Sequence, residues 1–124
     1  MVRYTVLALV TVNIAFNVIG QLCLKYGMNK IGNFQISLSG LFPIFVKAFL
    51  SPYILLGLSC YVTGFLIWLV VLAKAEVSYA YPLISLGYVL TAALGWWLLG
   101  ESVTWVRLTG IIITCVGVFI ISQS

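Results

Sequence analysis

The chain has 124 residues, 64% of them hydrophobic and 6% charged, with a net charge of +4. A water-soluble domain carries roughly a quarter charged residues, so this composition excludes a soluble globule and points to one small all-α membrane domain with the bilayer as its solvent. Arg3, Lys25, Lys30, Lys47, Lys74 and Arg107 stand between apolar runs without clustering, which excludes a nucleic-acid patch, and the absence of histidine excludes a His-based proton shuttle or metal site.

The first predicted span covers about residues 4–25. It is too long for the apolar part of a signal peptide, lacks a small-residue cleavage site and ends in Lys25, so it reads as a retained transmembrane helix. Tyr4 and Tyr26 bracket it as interfacial aromatics. Within it Asn13, Asn17, Gln21 and Lys25 recur at every fourth position. Each step of four advances about 40° around a helix, so the row stays on one broad face. Amides without partners cost several kcal/mol in hydrocarbon. Two readings follow: glue between helices, at roughly 0.6–2 kcal/mol per hydrogen bond, or the wall of a polar pathway. A row that ends in a cation favours the pathway. Lys25 itself either snorkels to the headgroups or pairs with an anionic group such as phosphate.

The first link is long, half polar and then apolar, with Pro43 and Pro52 as punctuation. About residues 38–50 form a short interfacial helix in this reading, with Leu41, Phe42, Ile44, Phe45, Phe49 and Leu50 on the apolar side and Lys47 toward the headgroups. The alternative is a plain loop that extends the second span backwards. That span covers about 52–73 and is followed by the short link "KAEV". Glu76 in this link reads as solvated, near the mouth of any cavity.

The third span, about 78–99, puts Tyr81, Ser85 and Tyr88 at i, i+4 and i+7, a spacing that shares one face and offers a second polar wall. Interfacial anchoring or packing is the plainer role for these tyrosines. Pro82 lacks an N–H and crowds the carbonyl of Ser78, which predicts a kink. After "GES" the fourth span covers about 103–122, with Ser102 as its cap, Trp105 at interface depth and Glu101 favourable at its positive end. Gly110, Thr114 and Gly117 make a narrow seam of small residues suited to a dimer, since four helices give little wall for a pathway. Cys23, Cys60 and Cys115 lie far apart with no CxxC, so no metal or redox site and no cofactor is expected.

Lys25, Lys30, Lys47 and Arg107 fall in the first and third links, against Arg3 and Lys74 at the other end. The positive-inside rule then puts both termini outside the cytoplasm.

The stretches "NVIGQLCLKYG", "AYPLISLGYVLTA", "LLGESVTWVRLTG" and "GIIITCVGVFIIS" together resemble the small multidrug resistance superfamily, within the drug/metabolite transporter group. The drug exporters of that family carry a glutamate in the first helix, in a context like "AEVIG", that binds proton and drug in turn. The matching stretch here is "FNVIG", so the position is Asn17, which cannot titrate. The "GQLCLK" and "AYPLISL" stretches look more like the small subunits of bacterial flippases for undecaprenyl-phosphate-linked aminoarabinose in lipid A modification. That resemblance implies a multi-pass protein of the bacterial inner membrane, a polyprenyl-phosphate glycolipid as substrate, membrane lipid around it, and a homodimer or a heterodimer with a related small subunit. It implies no enzymatic chemistry. It carries Gln21 and Lys25 with one motif and Tyr81, Pro82 and Ser85 with the other. The expected substrate-binding set is Asn13, Asn17, Gln21, Lys25, Tyr81, Ser85 and Tyr88. The alternatives are a small multidrug or cation exporter of the same fold, and a non-transporting helper subunit of a membrane glycosyltransferase.

Overall fold

The computed structural model describes residues 2–32 and 36–124. It is built from α1 (Val2–Ile31), α2 (Leu38–Leu50), α3 (Pro52–Lys74), α4 (Val77–Leu83), α5 (Ser85–Leu98) and α6 (Trp105–Ser122). Among the described residues four stretches are long and apolar enough to cross a membrane: Tyr4–Ile31, Pro52–Lys74, Val77–Leu98 and Trp105–Ser122. The protein is therefore a multi-pass, all-helical membrane protein.

The first helix runs well past Lys25, where the sequence suggested it would stop. Nothing at Lys25 breaks a helix, and the extra turns are held by aromatic packing. Tyr26 meets Tyr53 of α3 edge-on at 4.7 Å, and the Lys30 ammonium lies 5.2 and 5.3 Å from the two ring centres. The end comes at Gly32, whose φ of +86° is open to glycine and whose N–H donates to the Met28 carbonyl at 3.2 Å.

Ser37 starts α2, its Oγ accepting the Gly40 N–H at 3.1 Å. Ile44 and Ala48, four apart, are the buried side of this helix, while Phe42, Phe45 and Phe49 face outward. Its apolar surface thus divides between the bundle and the surroundings, with Lys47 exposed.

The hairpin of α1 and α3 is the most extensive helix pair. Two glycines seven apart on each helix allow it: Gly20 and Gly27 on α1, Gly57 and Gly64 on α3. A Cβ on Gly57 would stand 2.9 Å from the Leu24 side chain and 3.0 Å from the Gly20 carbonyl; one on Gly20 would meet the Tyr61 ring at 3.1 Å and the Gly57 carbonyl at 3.2 Å. The backbones touch, which gives dispersion contacts that lipid cannot match.

Between α4 and α5 the helix is interrupted at Ile84, two residues after Pro82. The Ile84 N–H turns to the Tyr81 carbonyl at 3.1 Å and the Gly87 N–H to the Ile84 carbonyl at 2.8 Å, both tighter than the α-helical pattern. Pro82, where the sequence predicts a kink, lies in the last turn of α4 just before this break. The core lies beside it: Val6, Val10, Ile14 and Val18 at every fourth position of α1 pack with Val71, Ala80, Leu83 and Val118.

Only Val118 of α6 is buried. Its cap is Thr104, whose Oγ1 accepts the Arg107 N–H at 3.1 Å, and not Ser102 as expected; Ser102 instead offers its carbonyl to the Arg107 guanidinium at 2.6 Å. Gly110 and Gly117 have open space where a Cβ would sit, and Thr114 Oγ1 donates to the Gly110 carbonyl of its own helix at 2.9 Å. Among the described residues none comes within 4 Å of where those two Cβ atoms would stand, although Thr114 and Gly117 are themselves half-buried.

Candidate functional site

The amide row of α1 divides in two. Asn13 is 2% exposed, and its Nδ2 donates to the Gly64 carbonyl of α3 at 2.6 Å. Asn17 Nδ2 donates to Asn13 Oδ1 at 3.0 Å. The inner end of the row is therefore interhelical glue. Its outer end opens to space: Asn17, still held by that bond, and Gln21 line a cleft of about 570 Å³. The cleft lies between α1 and α5, with Tyr61 of α3 on its floor. Tyr88, Thr91 and Ala92 supply the α5 wall, and Glu101, Val103 and Arg107 close the end where α5 passes to α6.

Lys25 opens into a smaller adjoining hollow of about 200 Å³, which Gln21, Thr91, Gly95 and Glu101 also line. Gln21, Thr91 and Glu101 border both spaces, so the two form one polar mouth. Apolar groups dominate at depth, with Ile14, Val18 and Ile84 at the inner end. Polarity thus rises along the cleft from a half-buried amide to exposed charges.

Other residues singled out in the sequence lie elsewhere. Tyr81 is exposed and meets Trp68 edge-on at 6.0 Å, outside the cleft lining. Ser85 is half-buried and Tyr88 alone of the three reaches the cleft. The tight turn at Ile84 falls between Tyr81 and Ser85, so their i, i+4 phase does not carry across it. Glu76 borders a different hollow at the opposite end of the bundle, with Lys74, Ser78, Tyr79 and Ser124. The valine-rich core lies between the two openings. Tyr79 at that end has an enclosed hydroxyl with no hydrogen-bond partner among the described residues.

Tyr61, Thr91, Glu101 and Arg107 join the site without having been marked for it. Thr91 lies three residues after Tyr88, a spacing that shares a helix ridge. Tyr61 lies between Gly57 and Gly64, whose spacing already marks the α1-facing side of α3. Arg107 reads from the sequence only as a charge that sets topology. Glu101 reads from the sequence as serving the N-terminus of the fourth span, yet α6 holds no acidic residue in its first turn. Among the described residues no three His, Cys, Asp or Glu side chains come together as a metal site would need.

Comparison with known proteins adds the family context. Residues 46–123 match the model of the EamA-like transporter family. The chain is 34% identical over 111 residues to the probable 4-amino-4-deoxy-L-arabinose-phosphoundecaprenol flippase subunit ArnF of Proteus mirabilis, covering 85% of this chain and 82% of that one. It is also 34% identical over 101 residues to the probable subunit ArnE of Pseudomonas syringae pv. syringae, covering 82% and 85%. With the probable subunit ArnF of Shewanella sediminis it shares 32% identity over 115 residues, covering 83% and 77%. No solved structure matches the chain significantly.

Proposed function

The chain belongs to the EamA-like transporter family, and on that premise we propose that it is a flippase subunit that moves an undecaprenyl-phosphate-linked sugar across the bacterial inner membrane. The observation that carries this reading is the cleft itself. A lipid-linked sugar keeps its polyprenyl chain in the bilayer while only its headgroup needs a polar path. The cleft's volume of about 570 Å³ lies within the range of roughly 300–1,000 Å³ common to small-molecule sites. Its amides and hydroxyls, Asn17, Gln21, Tyr61, Tyr88 and Thr91, suit sugar hydroxyls; Arg107 and Lys25 at the mouth suit phosphate.

The deep position that would hold a titratable acid in a proton-coupled cation exporter is Asn17. A phosphate-bearing substrate meets no fixed negative charge there. In this reading the Lys- and Arg-rich links face the cytoplasm, so the mouth opens where the glycolipid is made and the termini lie in the periplasm. The core around Val10 and Leu83 closes the path toward the far side. The relatives are flippase subunits by name, and this chain acts in the same way as one half of a dimer, with a second copy or a related small subunit. Four helices leave one side of the cleft to be completed, and the Gly110, Thr114 and Gly117 seam is the surface that joins the halves.

The test is a leaflet assay in sealed membrane vesicles that carry the full chain and the labelled glycolipid. An impermeant amine reagent reads which leaflet holds the headgroup. Gln21→Ala combined with Lys25→Ala should slow transfer at least about ten-fold, the loss of one charge-assisted contact. Unchanged transfer would remove this cleft from the pathway.

A further inference from the structure

We propose that Glu101 is the residue that selects an amino sugar: its carboxylate receives the sugar's ammonium group while Arg107 and Lys25 hold the phosphate. This rests on the flippase reading and deepens it, from a cleft for a lipid-linked sugar to a cleft for a zwitterionic headgroup.

Glu101 is freed from the structural duty its position suggests. The α6 terminus is capped by Thr104, and Glu101 stands outside the helix altogether. The chain turns at Gly100, with φ of +71°, and the Glu101 N–H returns to the Gly95 carbonyl at 3.2 Å. The carboxylate then lies back over α5 against Gly95. A Cβ built there would stand 2.9 Å from Glu101 Oε2, so a larger residue at 95 would displace it. Two glycines therefore set this carboxylate where it is, one by conformation and one by the space it leaves.

The place they set is the shared border of both hollows. Glu101 lines the larger with Arg107 and Gln21, and the smaller with Lys25 and Gln21. The Arg107 guanidinium is itself tethered, by its bond to the Ser102 carbonyl at 2.6 Å. The mouth thus offers two cations and one anion around a single amide. A headgroup carrying phosphate alone gains from the cations and is repelled by Glu101. A neutral sugar phosphate leaves the carboxylate without a partner. A phosphate with an ammonium on its sugar uses all three.

The experiment compares two probes on the same protein: undecaprenyl phosphate bearing aminoarabinose, and the same lipid with its amine N-acetylated. Acetylation removes the charge and keeps the sugar and phosphate. Binding is measured on the full chain, with any small subunit that accompanies it, in phosphatidylethanolamine and phosphatidylglycerol nanodiscs. The wild type should hold the amine form roughly ten- to a hundred-fold tighter, the range of a charge-assisted hydrogen bond. Glu101→Gln should bring the two affinities within about threefold, and Glu101→Asp should keep a preference for the amine. Equal binding of both probes by the wild type overturns the role of Glu101 and leaves the flippase reading standing. A full preference retained in Glu101→Gln also overturns it. Binding of neither probe overturns the flippase reading itself, and the role of Glu101 with it. The wild-type comparison does not depend on any variant folding.

Discussion

The two sides of this bundle are held together differently. On one side α1 and α3 meet backbone to backbone at Gly20 and Gly57 and are locked by Asn13 on the Gly64 carbonyl. On the other, α6 buries one residue, and α5 stands off from α1 far enough to leave the cleft. In lipid there is no hydrophobic force to close such a gap, because the acyl chains solvate apolar side chains as well as a neighbouring helix does. Tight packing therefore has to be built from small residues and hydrogen bonds. Where those are withheld, a helix stays free to shift or to take a partner. The tightly packed hairpin supplies one wall of the cleft, and the more loosely packed α5 and α6 supply the other.

Breaking the rigid side should have the largest effect. Gly57→Leu drives a side chain into Leu24 and the Gly20 carbonyl, which sit 2.9 and 3.0 Å from the first added atom. The expected cost exceeds about 3 kcal/mol, at the upper end of overpacking, seen as loss of monodisperse protein or a steep fall in melting temperature in detergent. Asn13→Ala removes the α1–α3 hydrogen bond and the acceptor for Asn17. About 1–2 kcal/mol should be lost in a thermal or denaturant melt. A variant as stable as the wild type would show that the amide is not a lock.

The loose side should respond in the opposite way. Gly110→Leu with Gly117→Leu meets open space within the chain. The stability of the single chain should change by no more than about 0.5 kcal/mol, while chemical cross-linking or single-molecule counting in bilayers should show association weakened at least about ten-fold. Self-association unchanged by the pair would count against α6 as the proposed dimer surface. The smallest effect expected is at Tyr79→Phe, which removes an enclosed hydroxyl that has no partner among the described residues. Stability should hold or rise by up to about 1 kcal/mol, since no hydrogen bond is lost.

The four spans were legible because length and apolarity alone define them. The course of α1 past Lys25 was not, since it depends on Tyr53 and Lys30 meeting Tyr26 from distant parts of the chain. In the candidate site, the spacing of Asn13, Asn17 and Gln21 puts them on one broad face but does not say which amides α3 consumes. That depends on where Gly64 presents its carbonyl. On sequence alone, a carboxylate two residues before a predicted helix start suits the dipole of that helix. Only the fold shows the helix beginning at Trp105 and the side chain turned back onto Gly95. Tyr81 was drawn into the site by a periodicity that the turn at Ile84 interrupts.

In the proposed function the open cleft holds the headgroup of a polyprenyl-phosphate sugar. The most direct measurement is native mass spectrometry of the protein released gently from its own membrane, which reads stoichiometry and retained lipid at once. The expected result is a two-subunit assembly carrying a polyprenyl-phosphate amino sugar, with the lipid lost in the Gln21→Ala, Lys25→Ala variant. An assembly that retains only bulk phospholipid, with glycolipid abundant in the same membrane, would contradict it.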